Sequence, residues 1–206
     1  MRIELGLCSS VRTLLMLSFI LASSSCVLAQ QQQHFVFHSG QVEVSGYTNN
    51  YNWKLKSDSL ECKADLIVQS KQLKAIKSLH FAVQVKDLSS PNTYMDRIAH
   101  KSLKAYPFDK ITFQHVKSEI IPMEDNAQFQ IKSSGNMTIG GVTRLINMDL
   151  VASLINDGTV VFTGTQNLKL STYQVSPKRT LMGTLKTNDE VRVDFILGMR
   201  PRASLK

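Results

Sequence analysis

The sequence predicts an all-β domain of roughly seven to nine antiparallel strands, closed as a barrel or stacked as a sandwich, with one helix near its middle. Three observations predict it. Past residue 30, apolar side chains recur at every second position through most of the chain, the mark of strands with one buried face. A Gly140-Gly141 pair separates two alternating runs, a hairpin signal because a tight two-residue turn needs positive φ. A single stretch, Thr93–Ala105, changes to helical spacing.

The chain opens on a different kind of segment. Arg2 and Arg12 precede the apolar run Leu14–Ala22, followed by the small-residue stretch Ser23–Ala29. The run is shorter than the roughly 20 residues needed to cross a bilayer, so residues 1–29 read as a secretory signal peptide cut after Ala29. Cys26 also stands where an acylated lipoprotein cysteine would. Such signals place a large aliphatic residue three positions earlier, where this chain has Ser23, so Cys26 is expected to leave with the signal. Residues 30–206 then form one domain, with neither a linker nor an internal repeat.

Within that domain the strands follow in order. Val42 and Val44 alternate with Gln41 and Glu43, and Leu60, Cys62, Ala64 and Leu66 share one face. Cys62 is therefore expected to be a buried, inert thiol with no cysteine left to pair with. Leu79, Phe81, Val83 and Val85 form the next run. Pro91-Asn92 turns the chain into the helix, where Thr93 and Asp96 resemble a capping box. Met95, Ala99 and Leu103 fall on one helical face before Pro107 ends it. Ile111 and Phe113, Phe129 and Ile131, and Met137 and Ile139 lead into the glycine pair. Ile146, Met148 and Leu150, Val160 and Phe162, Leu168 and Leu170, and Val191, Val193, Phe195 and Leu197 complete the set.

Charge narrows the partners. Taking Arg2, Arg12 and Glu4 from the 24 basic and 16 acidic residues leaves 22 and 15, a net charge of +7. The charges are scattered. The densest basic cluster, Lys71, Lys74 and Lys77, carries no interleaved aromatics of the kind single-stranded nucleic acid would stack on. Nucleic acid is therefore not expected as a partner; the charges read first as solvated strand faces that keep the domain in solution, with a weak attraction to anionic membrane surfaces as the best functional alternative. Chemistry is sparse. The sequence has no HExxH, CxxC, GxSxG or glycine-rich phosphate loop, and of the five histidines only His34 and His38 are four apart, near the start of the first strand and not on a helix, where that spacing would build a zinc site. His38 and His100 are the histidines to watch. Asp96 and Asp109 lack a nucleophile or metal beside them. Neither an enzyme, a metal site nor a cofactor is expected.

Three stretches carry a family resemblance. Met95–Phe113, with its Asp96-Arg97 pair, His100, Tyr106-Pro107 and closing Thr112-Phe113, is similar to the central block of the YceI-like family of lipid- and polyisoprenoid-binding proteins. Gly135–Arg144 resembles that family's Gly-Val-Thr hairpin, and Pro177 with Leu181–Val191 resembles its last hairpin. Gly140 departs from the pattern, and Phe35–Gly40 matches the opening strand only in part. The resemblance implies a lipocalin-like antiparallel barrel of about eight strands around an apolar tunnel, a periplasmic location and often a homodimer. It also implies an isoprenoid lipid or fatty amphiphile as the ligand. Alternation then supplies the candidate tunnel residues: Phe81, Val83, Val85, Ile111, Phe113, Phe129, Ile131, Met148, Leu150, Val193 and Phe195. Arg97, His100 and Tyr106, in the central block, are candidates for the tunnel mouth. The structural reading of Arg97 is an ion pair with Asp96 or Asp109, and that of Tyr106 is a plug over one barrel end. The competing functional reading is a structural or interaction barrel whose interior packs on itself.

Overall fold

The computed structural model describes residues 32–125, 127–175 and 187–202. The expected signal peptide, Cys26 and much of the last hairpin block lie outside these residues. Among the described residues, nine strands form one antiparallel sheet: β1 (Gln32–Tyr47), β2 (Asn52–Ser57), β3 (Leu60–Gln69), β4 (Gln72–Gln84), β5 (Lys110–Pro122), β6 (Gln128–Ile139), β7 (Val142–Leu154), β8 (Val160–Lys169) and β9 (Glu190–Pro201). Each of β3 to β9 pairs with its neighbour in sequence, and β9 pairs back onto β1 from Phe35–Pro201 to Ser45–Arg192. The sheet therefore closes into an eight-stranded barrel. β2 is additional: β1 pairs with β3 along its first residues and with β2 along its last.

β1 reaches all three partners because it bends. A bulge at His38 places Phe37 opposite Met199 and Ser39 opposite Gly198. The extra residue shifts the alternation by one, so Phe35 and Phe37 face the interior before the bulge and Val42 and Val44 after it. Gly40 follows at φ 145°, where a Cβ would lie 2.1 Å from the Ile196 carbonyl oxygen. β2 is held from outside by Glu43, which receives Lys54 at 2.6 Å and Lys56 at 2.8 Å. These hydrogen bonds keep its carboxyl below the ordinary range, though exposed pairs of this kind stabilise by only about 0–1 kcal/mol. The outer edge of β2 is capped by reciprocal Lys56–Ser89 backbone bonds of 2.8 and 2.9 Å.

The one α-helix among the described residues, α1, spans Thr93–Ser102 and lies at the end of the barrel reached by the last residues of β4 and the first of β5. Its cap is Asn92, not Thr93: Asn92 Oδ1 accepts from the Tyr94 and Met95 amides. Asp96 instead turns back to accept from the Ser90 amide at 2.9 Å and the Ser90 hydroxyl at 2.7 Å. Met95, Ala99 and Leu103 pack against the barrel core, as their spacing predicted. The strand run expected to include Val85 stops short of it. Val85 opens a 3-10 turn, Val85–Asp87, and its amide donates to the Asp109 carbonyl at 2.8 Å.

Two clusters share the interior. The larger runs from beneath α1, where it includes Leu55, Val83 and Leu88, to the far end of the barrel, where Phe35, Leu66, Phe129, Ile131 and Met199 are each at most 2% exposed. Cys62 lies in it with Sγ 3.7 Å from Met199 Sδ, and burial pushes its thiol up to about 12, which makes it inert at neutral pH. The smaller cluster, around Ile139, Tyr173 and Val191, lies nearer α1. The β6–β7 hairpin turns as predicted through Gly140 and Gly141 at φ 55° and 83°. At Gly141 a Cβ would sit 2.5 Å from the Phe108 ring, whereas Gly158, at φ 84°, has only Pro201 Cγ at 3.7 Å. Both glycine-to-alanine changes incur the left-handed backbone cost, but only the first adds a clash, worth about 1–3 kcal/mol. Urea unfolding of the two variants is expected to show Gly141→Ala less stable than Gly158→Ala by that amount.

Candidate functional site

The α1 end of the barrel is hollow. Two cavities lie one behind the other along the interior. The outer one, about 300 Å³, sits beneath α1 between β1, β2 and the upper ends of β4, β5 and β9. The inner one, about 80 Å³, continues toward the packed floor. They share Val42, Phe81, Met137, Leu168 and Val193 as common wall. The outer cavity reaches the surface at Tyr51 and Tyr94, which line it and are 49% and 56% exposed. Its volume falls at the lower end of the roughly 300–1,000 Å³ typical of small-molecule sites.

The hollow has a local cause. Phe113 lies against Gly135 of the neighbouring strand, where a Cβ would be 2.3 Å from the ring, and Phe195 lies against Gly164 at 2.5 Å. Each ring occupies space along the wall that a side chain would otherwise take. Both rings line the inner cavity.

Eight of the eleven tunnel candidates border these cavities. Phe81 and Val193 line both, Val83 and Ile111 the outer, and Phe113, Met148, Leu150 and Phe195 the inner. Three do not. Val85 is fully buried in its 3-10 turn, away from either lining. Phe129 and Ile131 face inward as expected, but they pack into the floor at 1% and 0% exposure. None of the three mouth candidates lines the opening. Tyr106 is 93% exposed and plugs nothing. Arg97 forms neither expected ion pair; its guanidinium stands 5.8 Å over the Tyr94 ring. The His100 imidazole Nε2 is 2.8 Å from the Leu88 carbonyl oxygen and ties α1 to the preceding segment. The rim is built instead from Thr48, Tyr51, Asn92 and Tyr94.

Sequence reasoning missed the polar residues of the wall. His115, Ser133 and Gln166 border the inner cavity, and Trp53 the outer. His115 continues the inward alternation of Ile111 and Phe113, which was the available signal. The bulge that follows, between His115 and Lys117, then ends the visible pattern. Gln166 stands between Phe162 and Leu168 on the inner face of β8 in the same way. Trp53 and Leu55 alternate with Lys54 and Lys56, a short period-two signal in β2. Among the described residues, no three His, Cys, Asp or Glu side chains cluster as a metal site would require.

A family model for the YceI-like domain matches residues 27–198. The chain belongs to the YceI-like family. Solved structures similar to it include Burkholderia cenocepacia BcnA, with a TM-score of 0.62 at 17% identity over 77% of this chain and 95% of that one. A polyisoprenoid binding domain from Saccharophagus degradans, implicated in plant cell wall breakdown, gives 0.61 at 10% identity, covering 84% of this chain and 100% of that one. The Campylobacter jejuni YCEI protein gives 0.50 at 19% identity over 69% of this chain and 82% of that one. At these identities the likeness is one of fold. None of the curated protein sequences matches the chain.

His115 gives the cavity wall a pH dependence. Its Nε2 is buried with no hydrogen-bond partner, and burial holds its pKa below the ordinary 6.5. No Asp, Glu, Lys or Arg borders the inner cavity among the described residues. The unfolded chain therefore takes up this proton at a higher pH than the folded one. Stability is full above about pH 6.5 and falls as pH drops from there toward the folded pKa. Urea unfolding at about pH 7.5 and about pH 5 is expected to show a smaller acid loss in His115→Phe than in the wild type. Equal losses in the two proteins would refute this role for His115.

Proposed function

We propose that this YceI-like barrel is a carrier or sequestering protein for an isoprenoid lipid or similar long-chain amphiphile, and that it works in the periplasm after removal of residues 1–29. The observation that carries the reading is the pair of adjoining apolar cavities that open beneath α1. Burial of each CH2 group contributes about 0.8 kcal/mol, so a prenyl chain can be held without specific contacts along its length. The likeness in fold to a polyisoprenoid binding domain supports the same reading. So does the predicted export signal, because an aqueous compartment is where such a chain needs a container. A weak attraction of the cationic surface to anionic membrane would help loading.

The alternative of a self-packed interior describes the floor, where Phe35, Phe129 and Ile131 are buried and border neither cavity. It does not describe the α1 end. Cargo is therefore confined to the upper part of the barrel.

Mass spectrometry of the natively purified mature protein is expected to find a co-purifying lipid, and a long-chain isoprenoid added to delipidated protein is expected to raise its Tm. Repeated absence of both would end the carrier reading. Val193 supplies a second check because it lies in the wall common to both cavities. Val193→Trp fills that junction at a cost of about 1–3 kcal/mol. It is expected to keep the β-sheet circular dichroism spectrum while losing most lipid retention.

A further inference from the structure

Among the described residues, five aromatic side chains are exposed: Tyr47, Tyr51, Tyr94, Tyr106 and Phe108, at 52%, 49%, 56%, 93% and 41%. All five stand at the α1 end of the barrel. Tyr47 closes β1, and Tyr51 precedes β2 in the turn whose Thr48 lines the outer cavity. Tyr94 lies in the first turn of α1, and with Tyr51 it edges the mouth itself. Tyr106 and Phe108 follow α1, and the Phe108 ring lies on Gly141 at the tip of the β6–β7 hairpin. At the sealed pole the exposed large apolar side chains, Met123 and Ile155, are aliphatic. Single exposed apolar residues are ordinary on a protein surface, whereas a concentration of them at one opening marks a site of contact.

Charge at this end has one sign where it is most exposed. Met95, Ala99 and Leu103 turn toward the core. The exposed residues of α1 are Thr93, Tyr94, Arg97 and Lys101, and the last three, spaced i, i+3 and i+7, share the opposite face. Arg97 stands over the Tyr94 ring. Lys104 extends the cationic side over Gly140, with Cδ 3.5 Å from where a Cβ would be. The acids of the segment are engaged elsewhere: Asp96 turns back to Ser90, and Asp109 faces the charge of Lys110. Tyrosine, with an apolar ring and a polar tip, suits the boundary between water and acyl chains. Cations beside it are attracted to anionic headgroups. A second copy docked through the same face would set Arg97 and Lys101 against their own counterparts, which opposes that pairing. The aromatic rim is also continuous with the apolar cavity, so cargo passing between a bilayer and the barrel here would cross no water.

We propose that the open pole docks on an anionic phospholipid bilayer through the exposed face of α1 and the aromatic residues around it. Docking rests on the carrier reading above for its purpose, transfer of cargo between bilayer and cavity, and adds the surface and the partner. It also gives Arg97 and Tyr106, which stay outside the cavity lining, a part at the membrane.

The test offers the mature protein vesicles of phosphatidylethanolamine with phosphatidylglycerol, or of phosphatidylcholine alone, and measures bound protein by flotation. The wild type is expected to bind the anionic vesicles at least about tenfold more tightly than the neutral ones at low salt, and to lose that advantage at high salt. Arg97→Gln combined with Lys101→Gln is expected to weaken binding to anionic vesicles about 10- to 30-fold. Tyr106→Ser is expected to weaken it about 3- to 5-fold, and Ile155→Ser at the sealed pole to leave it unchanged. Photoreactive benzoylphenylalanine is expected to crosslink to lipid from position 106 and not from position 155, a readout that needs no weakened variant. Failure of the wild type to bind anionic vesicles overturns the proposal. So does binding that the replacements at 97, 101 and 106 leave intact, equal lipid crosslinking from 106 and 155, or crosslinking from 106 to a second copy in place of lipid. Geranylgeraniol binding is measured separately without vesicles. If the alcohol binds and the vesicles do not, docking fails and the carrier reading stands; if the vesicles bind and the alcohol does not, the carrier reading fails and docking stands.

Discussion

Closure of the barrel depends on β1. One strand pairs with β9 along one edge and with β3 and then β2 along the other. A straight strand could not keep its apolar side inward along this whole path. The bulge at His38 and the glycine at position 40 bend it and reset its alternation, so Phe35 and Phe37 below and Val42 and Val44 above all face the interior. The splitting of the second edge between β3 and β2 also opens the upper barrel. The outer cavity lies in the space bounded by β2, α1 and β1, with Leu55 and Val44 among its walls.

Whether the interior is full or hollow is decided by how its large side chains lie. At the floor, Phe129 and Phe162 flank Ala152 on adjacent strands and are buried among Phe35, Leu66 and Met199. Higher up, Phe113 and Phe195 lie against Gly135 and Gly164, and Trp53 lies against Gly46. A ring laid along the wall fills the gap left by a missing side chain and leaves the axis open. The same three residues that would otherwise block the lumen thus form its lining, and the glycines opposite them cannot take a Cβ without moving the ring.

Period two made most of the strands legible. Val191 to Leu197 and Leu79 to Val83 face the way alternation predicts, because strands with one buried face carry that pattern without interruption. What escaped the sequence did so where a local rule yields to tertiary structure. Bulges in β1, β4 and β5 shift the alternation by one residue. Val85 keeps the apolar rhythm of β4 but turns away because its amide is taken by Asp109. Asn92 outcompeted Thr93 as helix cap, since a cap is chosen by where the backbone leaves the helical region. The wall residues His115, Gln166 and Trp53 were hidden for the opposite reason. A polar or solitary residue on an inner face looks like a break in the pattern, and only the closed barrel shows that it faces the cavity. The central block of the family resemblance was sound for the fold, yet Arg97, His100 and Tyr106 within it stay outside the opening.

The backbone bond from the Arg202 amide to the His34 carbonyl, 2.7 Å long, joins the two ends of the described barrel. Both lie at the floor, opposite α1. Anything fused before β1 or after β9, whether an affinity tag, a surface linker or a fluorescent reporter, would therefore project from the sealed pole. An immobilised barrel would present its open pole outward to the surrounding medium. The geometry of attachment and the geometry of loading are separated by the full length of the strands.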